Sequence, residues 1–239
     1  AERPALSHIT AQATAGQTMA IIGGTGSGKS TLVNLIPRLL DATGGHVELS
    51  GVDVKKLSQH DLHEAVSITQ QKATLFTGTV RSNMTFGMPY ATDEQIWDAL
   101  KIAQADDFIQ EQGGLDMTVE QGGANFSGGQ RQRLAIARTL IKDAKVYVFD
   151  DSFSALDFAT DARLRAAINA DERLAPAIKV IVAQRIATVM NADVIVVLDN
   201  GELAGVGSHE ELAKTCPAYQ EIMRSQLSEA DLKEVGVDA

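Results

Sequence analysis

Short apolar runs alternate with amphipathic patterns along most of this chain. The runs that predict β-strands are residues 18–22, 66–69, 146–149, 180–183 and 194–198. Apolar residues at helical spacing follow the first run, beginning at Leu32, and recur over residues 160–168. Strands that alternate with helices predict an α/β fold with a mainly parallel sheet.

Two segments depart from this alternation. Residues 44–54 combine glycine turns with alternating apolar residues, which predicts a small antiparallel β layer, and residues 80–140 are mostly helical. We therefore predict a core lobe formed by residues 1–77 and 141–225, a helical subdomain over 78–140, and an acidic C-terminal tail over 226–239.

The composition excludes several classes of protein. With 239 residues and 44% hydrophobic content the chain can bury a substantial core. A net charge of -10 and 5% aromatic residues argue against nucleic acid as a partner. The single cysteine, Cys216, is expected to be a small buried apolar residue. No apolar run is long enough to cross a bilayer, no signal-peptide pattern is present, and we expect the chain to be a soluble fragment of a longer protein.

A phosphate-binding loop follows the first predicted strand. Residues 23–31 read GGTGSGKST and match the G-x-x-x-x-G-K-[ST] pattern. Its members are Gly23, Gly24, Thr25, Gly26, Ser27, Gly28, Lys29, Ser30 and Thr31. Glycines allow backbone N–H groups to surround an anion, Lys29 adds charge for the terminal phosphates, and Ser30 is a magnesium ligand. The implied ligand is a magnesium-bound nucleoside triphosphate.

Two further segments carry candidate chemistry. The apolar run before Asp150 and Asp151 ends in these two carboxylates, and Asp150 is expected to hold Mg²⁺. In FSGGQRQR, Ser127 occupies an N-cap position ahead of a helical pattern, with Gly128, Gly129 and Gln130 after it. The chain either binds two anions, or this second site is completed by a ligand that another chain carries.

Together these motifs resemble those of ATP-binding cassette proteins. GGTGSGKST, Gln71 in ITQQKATLF, FSGGQRQR, VYVFDD and SALD occur in the family's order, and LFTGTVRSNM is similar to the exporter branch. The resemblance implies a P-loop NTPase fold, ATP and Mg²⁺ as ligands, and a membrane domain fused upstream. It also implies a location at the cytoplasmic face of the cell membrane.

In that family two cassettes pair head to tail. The resemblance implies that each ATP lies between one chain's phosphate loop and the other chain's signature, here Ser127, Gly128, Gly129 and Gln130. It further implies that Gln71 ligates Mg²⁺ and senses the membrane domain, and that Asp157 crosses the dimer seam.

Two positions depart from the family pattern. The residue after the magnesium aspartate is usually a glutamate and here is Asp151, and the switch histidine is replaced by Gln184. These catalytic positions predict a site that binds ATP but hydrolyses it poorly. The chain is thus similar to the degenerate-site subunit of heterodimeric bacterial multidrug exporters, whose partner supplies the consensus glutamate and histidine. A homodimeric exporter with a slow Asp151 base, a regulatory nucleotide-binding module and a non-transport cassette protein remain alternatives.

The family also stacks adenine on an aromatic residue upstream of the phosphate loop. Residues 1–22 contain no Phe, Tyr or Trp, so we expect the adenine-stacking residue to lie outside this chain.

Overall fold

Buried runs rich in β-branched residues form most of the longer strands of the protein. The computed structural model describes residues 4–228 and 232. The strands are β1 (Thr18–Gly23), β2 (Glu48–Leu49), β3 (Val52–Asp53), β4 (Val66–Thr69), β5 (Gly78–Thr79), β6 (Thr118–Val119), β7 (Val146–Asp150), β8 (Ile178–Val182), β9 (Val194–Asp199) and β10 (Glu202–Gly207). The α-helices are α1 (Lys29–Asn34), α2 (Gln59–Ala65), α3 (Val80–Met84), α4 (Asp93–Ile102), α5 (Asp106–Glu111), α6 (Gly128–Leu140), α7 (Phe158–Ala170), α8 (Ile186–Val189), α9 (His209–Thr215) and α10 (Pro217–Gln226).

The described residues group into two compact units, the first formed from Ala1–Val66 and Ile178–Ala239. Its central strands follow the order β10-β9-β1-β8. Strand β1 is parallel to both β8 and β9, and β10 returns antiparallel to β9. Because β1 has a neighbour on each side, its last five residues are buried. Its carboxyl end leads directly into the predicted phosphate loop.

The second unit is Ser67–Ala177. In it β7 lies beside β4, and β7 is buried along its whole length. Helices α4 and α6 pack together, with Ile96, Leu100 and Leu134 among their buried side chains. A two-residue antiparallel pair, β5 with β6, also lies in this unit.

The α/β fold with a mainly parallel sheet is confirmed, and the small antiparallel layer appears as β2 and β3. Strand β8 begins at Ile178, two residues earlier than predicted, and α1 ends at Asn34, where tighter turns continue the chain. The pair of β5 and β6 was missing from the prediction, since two-residue strands carry no detectable alternation.

The boundaries of the two compact units differ from the predicted boundaries of the core lobe and the helical subdomain. The predicted division into lobes therefore stays a prediction. Gln226, the first residue of the predicted tail, ends α10. The tail's acidic residues lie outside the described residues. Among the described residues no helix has both the length and the apolar composition needed to cross a membrane.

Candidate functional site

The phosphate loop lies between the end of β1 and the start of α1, as predicted. Close packing against β9 explains why position 23 is a glycine, because a Cβ on Gly23 would lie 2.2 Å from the carbonyl oxygen of Leu198. Gly26 and Gly28 have φ angles of 77° and 97°, which glycine adopts without strain. A Cβ on Gly24 or Gly26 would meet no atom within 4 Å. The loop is therefore packed on its β9 side and open at its tip.

Lys29 is buried within this loop. Its Nζ donates hydrogen bonds to the carbonyl oxygens of Gly23 and Gly24, at 2.8 and 2.7 Å, and lies 3.4 Å from Ser27 Oγ. Burying an ammonium group among carbonyl dipoles holds a positive charge in place at the loop. A cation on a glycine loop at a helix start is the donor set that a phosphate chain requires, so these residues fit a nucleoside triphosphate.

Gln184 lies in the same unit, just after β8. The backbone N–H of Ala183 donates to the carbonyl of Ile21 in β1, so the Gln184 segment leaves the sheet at the edge where the phosphate loop begins. The Gln226 side chain holds this segment from α10. Its Nε2 donates to the Gln184 carbonyl at 2.7 Å, and its Oε1 accepts from the Ile186 N–H at 2.9 Å. The sequence gives no signal for this role of Gln226.

In the second unit, Asp150 is the last residue of β7 and Asp151 follows it, so the two carboxylates lie at the strand end as predicted, and both are buried. Gln71, two residues beyond β4, donates from Nε2 to Asp151 Oδ2 at 3.3 Å. The fold thus brings together two predicted site residues that are 80 positions apart in the chain. Carboxylate and amide oxygens are ligands that Mg²⁺ accepts, so Asp150 and Gln71 fit the predicted metal.

Asp151 has an unusual backbone conformation. Its φ angle is 48°, in the left-handed region that aspartate tolerates better than most residues. Its carbonyl accepts a hydrogen bond from Ser154 Oγ at 2.9 Å, and Ser152 Oγ lies 3.4 Å from the Thr69 carbonyl at the end of β4. These bonds fix the turn that carries the carboxylate.

The FSGGQ segment caps α6. Ser127 is the N-cap, and its Oγ accepts from the Gln130 N–H at 3.2 Å while Gln130 Oε1 accepts from the Ser127 N–H at 2.9 Å. This capping box confirms the predicted N-cap. A Cβ on Gly129 would lie 3.4 Å from the Ala155 carbonyl, so the signature and the SALD segment approach closely.

Asp157 of SALD caps α7. Its Oδ1 accepts a hydrogen bond from the Thr160 N–H at 2.9 Å, and these amide hydrogen bonds lower the pKa of the Asp157 carboxyl. The carboxylate thus satisfies backbone N–H groups at the helix N-terminus.

The chain is similar to known proteins in both sequence and structure. The family model for ABC transporters matches residues 6–154. The chain belongs to the ABC transporter family. An uncharacterized ABC transporter ATP-binding protein of Mycobacterium tuberculosis is 46% identical over 99% of this chain and 40% of its own length. The ATP-dependent lipid A-core flippase of Hahella chejuensis is 40% identical over 96% of the chain and 39% of its own length.

A solved structure of an ABC exporter is also similar to this chain. A bacterial Atm1-family ABC exporter with ATP bound superposes with a TM-score of 0.89 at 34% identity, and the match covers 95% of this chain and 40% of that one. This ABC ATPase domain has the family's P-loop fold. It spans about 40% of the length of the curated relatives named above.

Proposed function

We propose that the chain binds Mg-ATP and drives export as the ATP-binding domain of an ABC exporter at the cytoplasmic face of the cell membrane. The observation that carries this proposal is the burial of Lys29 within the glycine loop after β1. Lys29 and the loop from Gly23 to Thr31 bind the phosphates. Ser30, Gln71 and Asp150 hold Mg²⁺, which neutralises phosphate charge when it is bound.

We further propose that this chain's own site hydrolyses ATP poorly. Asp151 is one methylene shorter than glutamate, which withdraws the carboxylate by about 1.5 Å, and a misplacement of about 1 Å can cost a hundredfold in rate. The neutral amide of Gln184 can hydrogen-bond but cannot carry a histidine's charge. The hydrogen bond from Gln71 also engages an Asp151 oxygen that would otherwise accept from an attacking water.

The FSGGQ segment is a second candidate anion-binding site, and it supports pairing with another cassette subunit. Ser127, Gly128, Gly129 and Gln130 begin a 13-residue helix, α6, and we propose that they complete the active site of a second cassette subunit. That partner carries the consensus glutamate and histidine and performs most of the hydrolysis. A membrane domain in the same protein supplies the transport path. The names of two relatives support this: one is a lipid A-core flippase, and another is a Beta-(1-->2)glucan export ATP-binding/permease protein of Bartonella bacilliformis.

One observation favours a second candidate. Position 151 retains a carboxylate, and a homodimeric exporter in which Asp151 is a slow general base requires no other subunit. The two candidates differ in whether the chain turns over ATP when it pairs with itself.

A gain-of-function experiment tests the impaired site. In the full heterodimer, the partner's catalytic glutamate is removed and this chain receives Asp151→Glu with Gln184→His. We expect phosphate release to rise by about 10² or more over the same complex with the unchanged chain. Asp98→Glu, an exposed aspartate of α4, is the matched control and leaves turnover low.

Two results would contradict the proposal. If phosphate release does not recover, some feature other than Asp151 and Gln184 limits hydrolysis at this site. Vigorous phosphate release from the membrane-embedded protein paired with itself, with no second gene product present, would favour the homodimer.

A further inference from the structure

The turn between β9 and β10 contacts the phosphate loop through Gly201. The Gly201 N–H donates to the carbonyl oxygen of Ser27 at 3.2 Å, and the Gly201 carbonyl accepts from the Ser7 N–H at 2.8 Å. Gly201 is buried although it lies in a hairpin turn. A Cβ at this position would lie 2.5 Å from the Ala5 carbonyl oxygen. One glycine therefore joins the segment near the start of the chain to the phosphate loop.

Leu6 contacts the same loop from that segment. A Cβ on Gly28 would lie 2.6 Å from Leu6 Cδ2, so the leucine methyl packs against the backbone of Gly28. Gly28 is the N-cap of α1, and its φ of 97° sets the direction in which the helix starts. Residues 201 and 6 thus touch two consecutive residues of the loop, Ser27 and Gly28.

We propose that Leu6 and Gly201 are positioning residues of the phosphate loop, which hold Ser27 and Gly28 so that Lys29 and the first turn of α1 face the nucleotide. The inference rests on the proposed binding of ATP. No residue of the phosphate-loop motif is altered in testing it.

Phosphate binding tolerates only small displacements of the loop backbone, and this is the physical basis of the inference. Among the described residues, few backbone hydrogen bonds join residues 24–28 to distant segments of the chain. A left-handed glycine such as Gly28 also has a wide range of accessible backbone angles. A neighbouring methyl and a backbone hydrogen bond restrict that range. Because phosphate binding depends on several N–H groups that point to one place, a small displacement of the loop weakens all of them together.

Gly201→Ala keeps the backbone N–H but forces the turn and the Ala5 carbonyl apart, which displaces the hydrogen bond to Ser27, whereas Leu6→Ala removes the methyl contact with Gly28. The chain offers a close control for the first: Ser50 and Gly51, between β2 and β3, have φ angles of 53° and 77°, against 48° and 82° for Asn200 and Gly201. A Cβ on Gly51 meets no atom within 4 Å, so Gly51→Ala carries the same backbone strain without the clash. Leu57→Ala, at another half-buried leucine of the same unit, is the control for Leu6, and Leu6→Met tests rescue by a side chain of similar size.

The first measurement is hydrogen exchange of the phosphate-loop amides in the intact nucleotide-free protein. We expect Gly201→Ala and Leu6→Ala to speed exchange over residues 27–30 by about fivefold or more, while the amides of β8 stay unchanged. Gly51→Ala, Leu57→Ala and Leu6→Met should exchange as the unaltered protein does. A change confined to the loop separates positioning from general loosening of the unit.

The second measurement is equilibrium binding of ATP to the same proteins. We expect about tenfold weaker binding in Gly201→Ala and Leu6→Ala, with the control variants unchanged. Unaltered loop exchange in both variants, or an equal effect of the controls, would overturn the inference. If the unaltered protein binds no ATP, the proposed function fails, while the exchange experiment still decides whether Leu6 and Gly201 hold the loop.

Discussion

At the scale of single residues, Asp151 combines two features that bear on its chemistry. Its backbone lies in the left-handed region, and its carboxylate accepts a hydrogen bond from Gln71. Aspartate tolerates this backbone better than glutamate, because its short polar side chain bonds locally. The residue is therefore well suited to its turn and, on our proposal, poorly placed to activate water.

Asp151→Asn replaces the carboxylate by an amide of the same shape and tests whether this carboxylate takes part in hydrolysis. In Asp151→Asn the Oδ1 atom can still accept from Gln71, so we expect the fold to be kept. Because the partner's site performs the hydrolysis on our proposal, phosphate release by the intact pair should stay within about twofold, whereas loss of the partner's catalytic glutamate should cost about 10² or more. A comparable loss in Asp151→Asn would show that this carboxylate limits turnover, as the homodimer requires.

At the scale of elements, the start of α6 serves both structure and proposed function. Ser127 and Gln130 cap the helix reciprocally, so their side chains are engaged whether or not a nucleotide is near. A mutation of Ser127 thus changes helix stability as well as any contact with a partner's ATP. Helix α4 offers a comparison, since Thr92 and Gln95 form the same capping box in the same unit.

A cap-matched series separates the two effects. Ser127→Ala and Thr92→Ala should each lower the free energy of unfolding by about 1 kcal/mol, and Ser127→Asn should restore most of that loss, because asparagine is a good N-cap. Phosphate release by the intact pair should fall in Ser127→Ala and Ser127→Asn but not in Thr92→Ala. Urea unfolding and phosphate release measure the two quantities. Full turnover in Ser127→Asn would assign the hydroxyl to capping alone.

At the scale of the whole chain, local signals predicted the longer strands of the parallel sheet and the mainly helical stretch over residues 80–140. Residues 19–22 and 146–149 are continuous apolar runs, and the glycine pattern after the first is specific. The same signals could not reveal that Gln71 binds Asp151 or that Gln226 holds the Gln184 segment. Those contacts join residues tens of positions apart, and no local pattern indicates which of them meet.

Leu6 and Gly201 show the same limit. The Asn200-Gly201 pair predicts a hairpin turn, which the structure has, but nothing in the turn sequence indicates that it contacts the phosphate loop. Packing between segments that are distant in the chain decides that role. Sequence patterns therefore identified the candidate ligand-binding residues and missed the residues that contact their segments from elsewhere in the chain.

The isolated 239-residue chain is expected to bind ATP weakly. Residues 1–22 contain no aromatic side chain, and stacking on adenine is worth about 1–3 kcal/mol per base, which corresponds to about 5- to 150-fold in affinity. The phosphate contacts of Lys29 and its loop remain, so binding should be measurable at millimolar ATP and disappear in Lys29→Ala. Titration calorimetry on both proteins measures this. Micromolar or tighter affinity would mean that the chain itself holds the base, and would direct the search for a platform to its own exposed aromatic residues.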